Sequence, residues 1–208
     1  MKKRIYKIGL VGCGRISKNH IKALSENYDK CELVAICDNS NPKLESAIQL
    51  IKKEFTKHKL NYHNPKKYLD YSELIEAHKC KEIFLDLIVL ATPSGLHASQ
   101  TIMAANNGIN VCTEKPMAVK FRHAKEMVKV CEKNNVKLFV IKQNRLNSTL
   151  QDLRERLRKN MFGDIALVNV NVFWHRPQSY YDQDEWRGTL ALDGGALMNQ
   201  AIHYIDLL

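Results

Sequence analysis

No apolar run in this 208-residue chain approaches the length of a membrane-spanning helix, so a helical membrane protein is excluded. Six cysteines are present (Cys13, Cys31, Cys37, Cys80, Cys112, Cys131), but no two form a C-x-x-C pair, and a paired redox motif is therefore missing. They fall in strand or helix-core positions and read as reduced packing residues of a cytoplasmic protein. No set of His, Cys and carboxylate residues has metal-ligand spacing, and there is no nucleophile elbow; metal and serine-hydrolase chemistry drop out. Internal repeats and low-complexity linkers are missing as well. Lys2, Lys3 and Arg4 ahead of Leu10-Val11-Gly12-Cys13 superficially match a lipoprotein processing box. Lys7 breaks that apolar region and leaves only Ile8–Gly12, short of the roughly 7–15 residues an export signal needs.

Acidic residues are outnumbered, 22 Asp+Glu against 32 Lys+Arg, for a net charge of +10. Much of the excess is scattered over helix faces (Lys52, Lys53, Lys57, Lys59, Lys66, Lys67), as expected of solvated surface or of attraction for an anionic ligand. Nucleic acid is not the expected partner. No binding motif for it is present, and Leu157 interrupts the basic run Arg154–Lys159 as an amphipathic helix would. Hydrophobic residues at 45% and charged residues at 26% are ordinary for a globular protein with one sizeable core and part of a second.

The most informative stretch is Tyr6–Asp38. Ile8–Val11 reads as a buried strand ending at Gly12-Cys13-Gly14; a helical pattern follows (Ile16, His20, Ala23, Leu24), then a second apolar run, Leu33–Cys37, that closes on Asp38. Strand, glycine turn, helix and strand are the setting of a dinucleotide fingerprint. Gly12 permits the tight turn, and Gly14 lets the backbone approach a pyrophosphate. Arg15 and Ile16 open the helix whose N-terminal N–H groups would receive the phosphates. Ser17 occupies the third small position in place of glycine or alanine. Asp38, at the tip of the second strand, can accept both ribose hydroxyls of an adenosine. It would repel a 2′-phosphate, and no arginine follows at 39 or 40, so NAD is expected over NADP.

Further on, Leu44, Ala47, Ile48, Ile51 and Phe55 share a helical face, and Asp70-x-x-Glu73 resembles a capping box. Leu85–Ala91 is a continuous apolar run, as in a parallel strand buried on both faces, and it ends in Thr92-Pro93-Ser94. A helix to Gly108, a strand over Ile109–Cys112, Thr113-Glu114-Lys115-Pro116, a helix with Met127 and Cys131 inward, and a strand over Val136–Ile141 complete an alternating pattern. Such alternation gives a doubly wound parallel sheet, with ligands beyond the carboxyl ends of its strands, where Gly12, Thr92 and Lys115 fall. After Gln143-Asn144-Arg145 the character changes. A helix with Leu150, Leu153 and Leu157 leads to Ile165–Trp174, whose alternation predicts a half-buried strand. A polar, aromatic loop, Asp193-Gly194-Gly195 and a helix running to the last residue follow.

Together, T-P-x-x-x-H at Thr92–His97, E-K-P at Glu114–Pro116 and the segment from Asp193 to His203 resemble the glucose–fructose oxidoreductase/inositol dehydrogenase (Gfo/Idh/MocA) family. The segments Lys142–Arg145 and Phe173–Gly188 resemble a narrower branch, the WlbA-type enzymes that oxidise C3 of UDP-N-acetylglucosaminuronate. The resemblance implies an NAD-binding Rossmann domain over 1–145 and the beginning of an α+β substrate domain over 146–208. Family members run well beyond this length, and full-length relatives are homo-oligomers. A lone strand at 165–174 would leave its edges unpaired, so residues 146–208 are expected to be loosely held, to self-associate or to need a further partner segment. The resemblance also makes Lys115 and His203 the proton-handling pair. Many members carry an aspartate four residues before the histidine; Asn199 stands there and removes one candidate acid. Which of Lys115 and His203 is the immediate base stays open. Pro93, His97 and Glu114 are implied cofactor contacts along with Thr92 and Lys115.

Arg145, Arg176 and Arg187 are forks suited to carboxylate or diphosphate, and Gln143 and Asn144 lie beside the first of them. Tyr180, Tyr181 and Trp186 can stack on a sugar or pyrimidine or form a packed aromatic loop, and His175 is a further substrate candidate. UDP-N-acetylglucosamine, another sugar or an inositol are alternative substrates. The reading from a different class is a non-catalytic dinucleotide-binding protein.

Overall fold

The computed structural model describes residues 4–57 and 63–208; Lys2, Lys3 and Lys59 lie outside the described residues. At its centre is a parallel sheet of six strands: β1 (Tyr6–Val11), β2 (Cys31–Cys37), β3 (Lys66–Tyr68), β4 (Leu87–Leu90), β5 (Asn110–Thr113) and β6 (Leu138–Val140). Their order is β3-β2-β1-β4-β5-β6, the doubly wound arrangement whose direction reverses between β1 and β4. Helices α1 (Ser17–Glu26), α2 (Asn41–Lys57), α3 (Tyr71–Lys79), α4 (His97–Asn106) and α5 (Phe121–Lys133) make the crossovers.

Residue choice explains why β1 and β4 take the middle. Leu10, Ile88 and Leu90 are fully buried, and β1 and β4 pair in continuous register from Ile8↔Leu87 to Val11↔Leu90. Val11, Ile88 and Leu90 pack on one face with Leu74, Ala104 and Ile109, while Ile8 and Leu10 pack on the other with Ile21, Leu44 and Ile51. Each such side chain contributes roughly 1.5–3 kcal/mol by leaving water. The sequence reading contains no β3. That strand has three residues, mostly exposed, at the sheet edge beside β2, too short to show a period. Asp70 caps α3 by accepting a hydrogen bond from the Ser72 N–H at 2.6 Å. All six cysteines are free; burial, with the Asp38 charge nearby, pushes the Cys13 and Cys37 thiols up to about 12, which makes them inert.

The second half divides. Helix α6 (Ser148–Arg158) opens on Asn147, whose side chain accepts from the Thr149 N–H, and all but its third residue, Leu150, are exposed. The strand expected over Ile165–Trp174 does not form: these residues have no ladder partner among the described residues, and Leu167 and Phe173 are 84% and 95% exposed. Alternating residues make a strand only where a neighbour completes the hydrogen bonds. Residues 178–208 fold onto the first half. They comprise α7 (Gln178–Tyr181), a π-helical turn over Leu197–Ala201 and α8 (Ile202–Ile205), which stops short of the last residue; the Asp206 side chain just after it pairs with Arg145 and Lys142. This segment sits on the carboxyl end of the sheet. The Gly95 N–H donates to Leu192 O at 3.0 Å, and a Cβ at Gly95 would lie 2.3 Å from Ala191 O. Among the described residues no helix is long and apolar enough to cross a membrane.

Candidate active site at the carboxyl end of the sheet

The glycine turn closes directly on the switch point. Gly12 has φ +92°, and a Cβ there would lie 2.5 Å from Ala91 O and 2.9 Å from Thr92 N, so only glycine lets β1 and the end of β4 approach this closely. A Cβ at Gly14, by contrast, would meet nothing within 4 Å; the space above the turn is open. Ser17 fits the third position because it is buried and its hydroxyl donates to Gly14 O at 2.6 Å. Asp38 accepts the Cys13 N–H at 2.8 Å on one oxygen and the Ser40 N–H at 2.9 Å on the other. Each oxygen keeps a lone pair for a ribose hydroxyl. Gly12, Gly14, Arg15, Ile16 and Asp38 thus present the open turn, helix start and acceptor that a dinucleotide requires, and the chain fits NAD at this point.

Thr92 and Pro93 end β4, with the Thr92 hydroxyl donating to the Gln100 amide oxygen at 2.6 Å. His97 corrects the sequence reading. It is fully buried, with Nδ1 2.9 Å from Pro116 O and Nε2 3.0 Å from Thr92 O. Its ring braces the Thr92 loop against the Lys115-Pro116 turn and has no face left for a cofactor. Burial, against those two carbonyls, keeps His97 below the ordinary imidazole value. Glu114 is also committed: one oxygen pairs with His20 Nε2 at 3.0 Å and the other accepts the Lys115 N–H at 3.2 Å. Burial pushes the Glu114 carboxyl up, but His20 and Lys115 outweigh it and hold it below the usual range. Glu114 therefore positions the lysine turn.

Lys115 reaches across to the second half. Its Nζ donates to Asn199 O at 2.8 Å and to Asn199 Oδ1 at 3.0 Å. The buried Asn199 donates in turn through Nδ2 to Asp193, which is 3% exposed and also accepts the Gly188 N–H at 2.8 Å. Burial is the main cause that lowers the Lys115 pKa; the Arg15 and Lys142 charges add to it, while Glu114 and Asp193 oppose it. His203 lies on the same side, its Nε2 3.5 Å from the Gln143 amide nitrogen. Burial, then the charges of Lys115 and Lys142, hold His203 below its ordinary value, so it is neutral near pH 7 and able to accept a proton.

The arginines separate in role. Arg145 is not a free fork: it grips Asp206 with two bonds of 2.8 Å, tying the Gln143–Leu146 turn to the terminal helix. Asn144 is half-buried in that same turn. Arg187 is likewise paired with Asp184, at 2.9 Å. Tyr180 is buried, ringed by the guanidinium groups of Arg15 (5.6 Å), Arg176 (4.9 Å) and Arg187 (4.8 Å), so it is packing and not a stacking platform. Tyr181 meets Tyr180 edge-on, and Trp186 lies under Arg187 at 4.8 Å. His175 is exposed beside this cluster. Arg176 stacks on Trp174 at 3.7 Å and donates to Gln200 at 3.3 Å; its Nε is buried and has no partner among the described residues. Sequence reasoning missed Asp193 as a site residue, along with Gly95 and His20. Asp193 opens the glycine-pair motif, but its role, like those of Gly95 and His20, depends on partners in other elements or beyond the glycine pair.

An open glycine turn at a β1/β4 switch point, an acceptor at the tip of β2 and a half-buried lysine after β5 define a dinucleotide-binding Rossmann protein. The chain belongs to the Gfo/Idh/MocA oxidoreductase family: residues 6–142 match its NAD-binding Rossmann fold, and residues 150–208 match its C-terminal domain. Among solved structures it is similar to the WlbA dehydrogenase from Bordetella pertussis in complex with NADH and UDP-GlcNAcA, at 45% identity and a TM-score of 0.87, covering 98% of this chain and 58% of that one. The WlbA dehydrogenase from Chromobacterium violaceum, in complex with the same two molecules, is 42% identical with a TM-score of 0.88, covering 100% of this chain and 55% of that one. D-apiose dehydrogenase from Paraburkholderia graminis is 30% identical over 97% of this chain and 48% of its own length. The chain therefore spans about half the length of the relatives it matches.

Proposed function

We propose that this chain carries the cofactor site and the proton-handling residues of an NAD-dependent oxidoreductase that oxidises the C3 hydroxyl of UDP-N-acetylglucosaminuronate. One observation carries the reading: 42–45% identity to WlbA dehydrogenases that hold NADH and UDP-GlcNAcA, extending over essentially the whole chain. Bound NAD supplies the hydride acceptor. Everything else falls to the chain's own side chains. Lys115, held by two bonds to Asn199, keeps its third Nζ direction for substrate, and neutral His203 stands on the same side; between them they take the hydroxyl proton and orient the alcohol. Burial lowers the lysine toward a useful range without removing its affinity for an alcohol oxygen. Arg176, which donates to the neutral Gln200 where Arg145 and Arg187 grip aspartates, suits the sugar carboxylate, and the +10 net charge suits a diphosphate. Participation in surface-polysaccharide synthesis and a homo-oligomeric state rest on the same likeness.

The test is to load the protein with NAD, add UDP-N-acetylglucosaminuronate, UDP-N-acetylglucosamine or an inositol, and follow reduced-nicotinamide absorbance. The carboxylated UDP-sugar is expected to react fastest. Equal response to the uncharged UDP-sugar removes the carboxylate from the substrate definition. Binding of NAD with no response to any of them favours the non-catalytic dinucleotide-binding reading, which draws on the half-length coverage of the relatives.

A further inference from the structure

Behind Lys115 stands a buried carboxylate that the proposed reaction does not use directly. Asp193 is 3% exposed, and the Gly194-Gly195 turn folds it back toward Asn199, six residues on. An ionised carboxylate only accepts hydrogen bonds. With one Asp193 oxygen filled by the Gly188 N–H, the other can be satisfied by Asn199 only through its amide NH2. The amide carbonyl must then point the opposite way, and that is where Lys115 Nζ sits, 3.0 Å from Oδ1. Backbone O of Asn199 takes a second lysine proton at 2.8 Å.

We infer that Asp193 is a positioning residue for Lys115: its buried carboxylate fixes the orientation of the Asn199 amide, which aims the lysine, and supplies a counter-charge one side chain away. This rests on the reading of Lys115 as a proton-handling residue. An aspartate at 199 would pair with the ammonium directly and hold it charged. The amide instead transmits orientation while keeping the full negative charge at a distance, so the lysine is both anchored and able to lose a proton. Other charged groups act on Nζ too: Glu114 from its own turn, Arg15 from the start of α1 and Lys142 from the end of β6, with His203 in the terminal helix feeling the lysine in return. Only Asp193 reaches it through Asn199.

The experiment is a pH titration of Lys115 in the full chain. Lysine is labelled with 13C at Cε, the Lys115 signal is assigned by Lys115→Arg, and parent, Asp193→Asn and Asn199→Asp are compared. Asp193→Asn keeps the shape and an oxygen for the Gly188 N–H but removes the charge, and it should move the Lys115 midpoint to lower pH. Asn199→Asp, which puts a carboxylate directly on Nζ, should move it higher. Shifts of opposite sign are not what a general loosening produces. An Asp193→Asn midpoint equal to the parent's, or above it, overturns the inference. If that variant does not fold, Asp193→Glu decides: it keeps the charge but moves the carboxylate out of register with the Asn199 amide, and a midpoint equal to the parent's overturns the inference. No turnover is needed, so failure here leaves the substrate reading standing, and failure of the sugar assay leaves this coupling measurable.

Discussion

Strand β4 and the segment Ile165–Trp174 are written in the same residues, mostly Val, Ile, Leu and Ala, yet they end in opposite states. Leu87–Leu90 has β1 on one side and β5 on the other, with Ile88 and Leu90 fully buried. Residues 165–174 have no ladder partner among the described residues, and Val168, Val170 and Val172 are 59%, 44% and 39% exposed. Side-chain preference is common to both; backbone partners are not. A strand is a property of a pair, and β propensity measures how well a residue fits a half-buried pleated surface once that surface exists.

Three substitutions probe that contrast. The largest effect belongs to Ile88→Ala, which removes a fully buried side chain from the middle of the sheet and should destabilise the protein by about 2–5 kcal/mol in a denaturant melt. A loss below about 1 kcal/mol would mean the sheet is not the cooperative centre of the chain. Gly95→Ala comes next. Its Cβ has no room against Ala191 O, so residues 189–208 should be pushed off the sheet at a cost of about 1–3 kcal/mol. Hydrogen exchange should show faster exchange at 189–208 with β1 and β4 unchanged; uniform loss, or none, would show that the seam does not run through Gly95. The smallest effect is that of Val170→Ala, expected within about 0.5 kcal/mol of the parent. A cost comparable to Ile88→Ala would show that 165–174 is packed in solution after all.

Much of the first half is legible in sequence because its signals are local. The glycine turn, the apolar runs around it and Asp38 lie within one strand–helix–strand unit, and each lands where its spacing predicts. What is not legible depends on distant partners. Asp193 becomes a site residue only because Lys115 reaches Asn199, 84 positions away in sequence. His97 carries the motif expected of a cofactor contact, but its burial between two backbone carbonyls makes it a brace. Arg145 and Tyr180 have the chemistry of substrate groups; the first is taken by Asp206 and the second is enclosed by three guanidinium groups. The alternation over 165–174 is real in the sequence and silent about what would pair with it.

In the proposed reaction NAD takes the hydride of a UDP-sugar alcohol while Lys115, from the end of the sheet, and His203, from the segment seated above it, handle the hydroxyl proton. The most direct measurement mixes NAD-loaded protein with UDP-N-acetylglucosaminuronate and records reduced-nicotinamide formation for the parent and Lys115→Ala side by side, with NAD affinity followed by calorimetry. The predicted result is a loss of about 10²–10⁴-fold in turnover, the range for a positioned acid–base group, with NAD affinity nearly intact. A Lys115→Ala variant that binds NAD and turns over like the parent would contradict it.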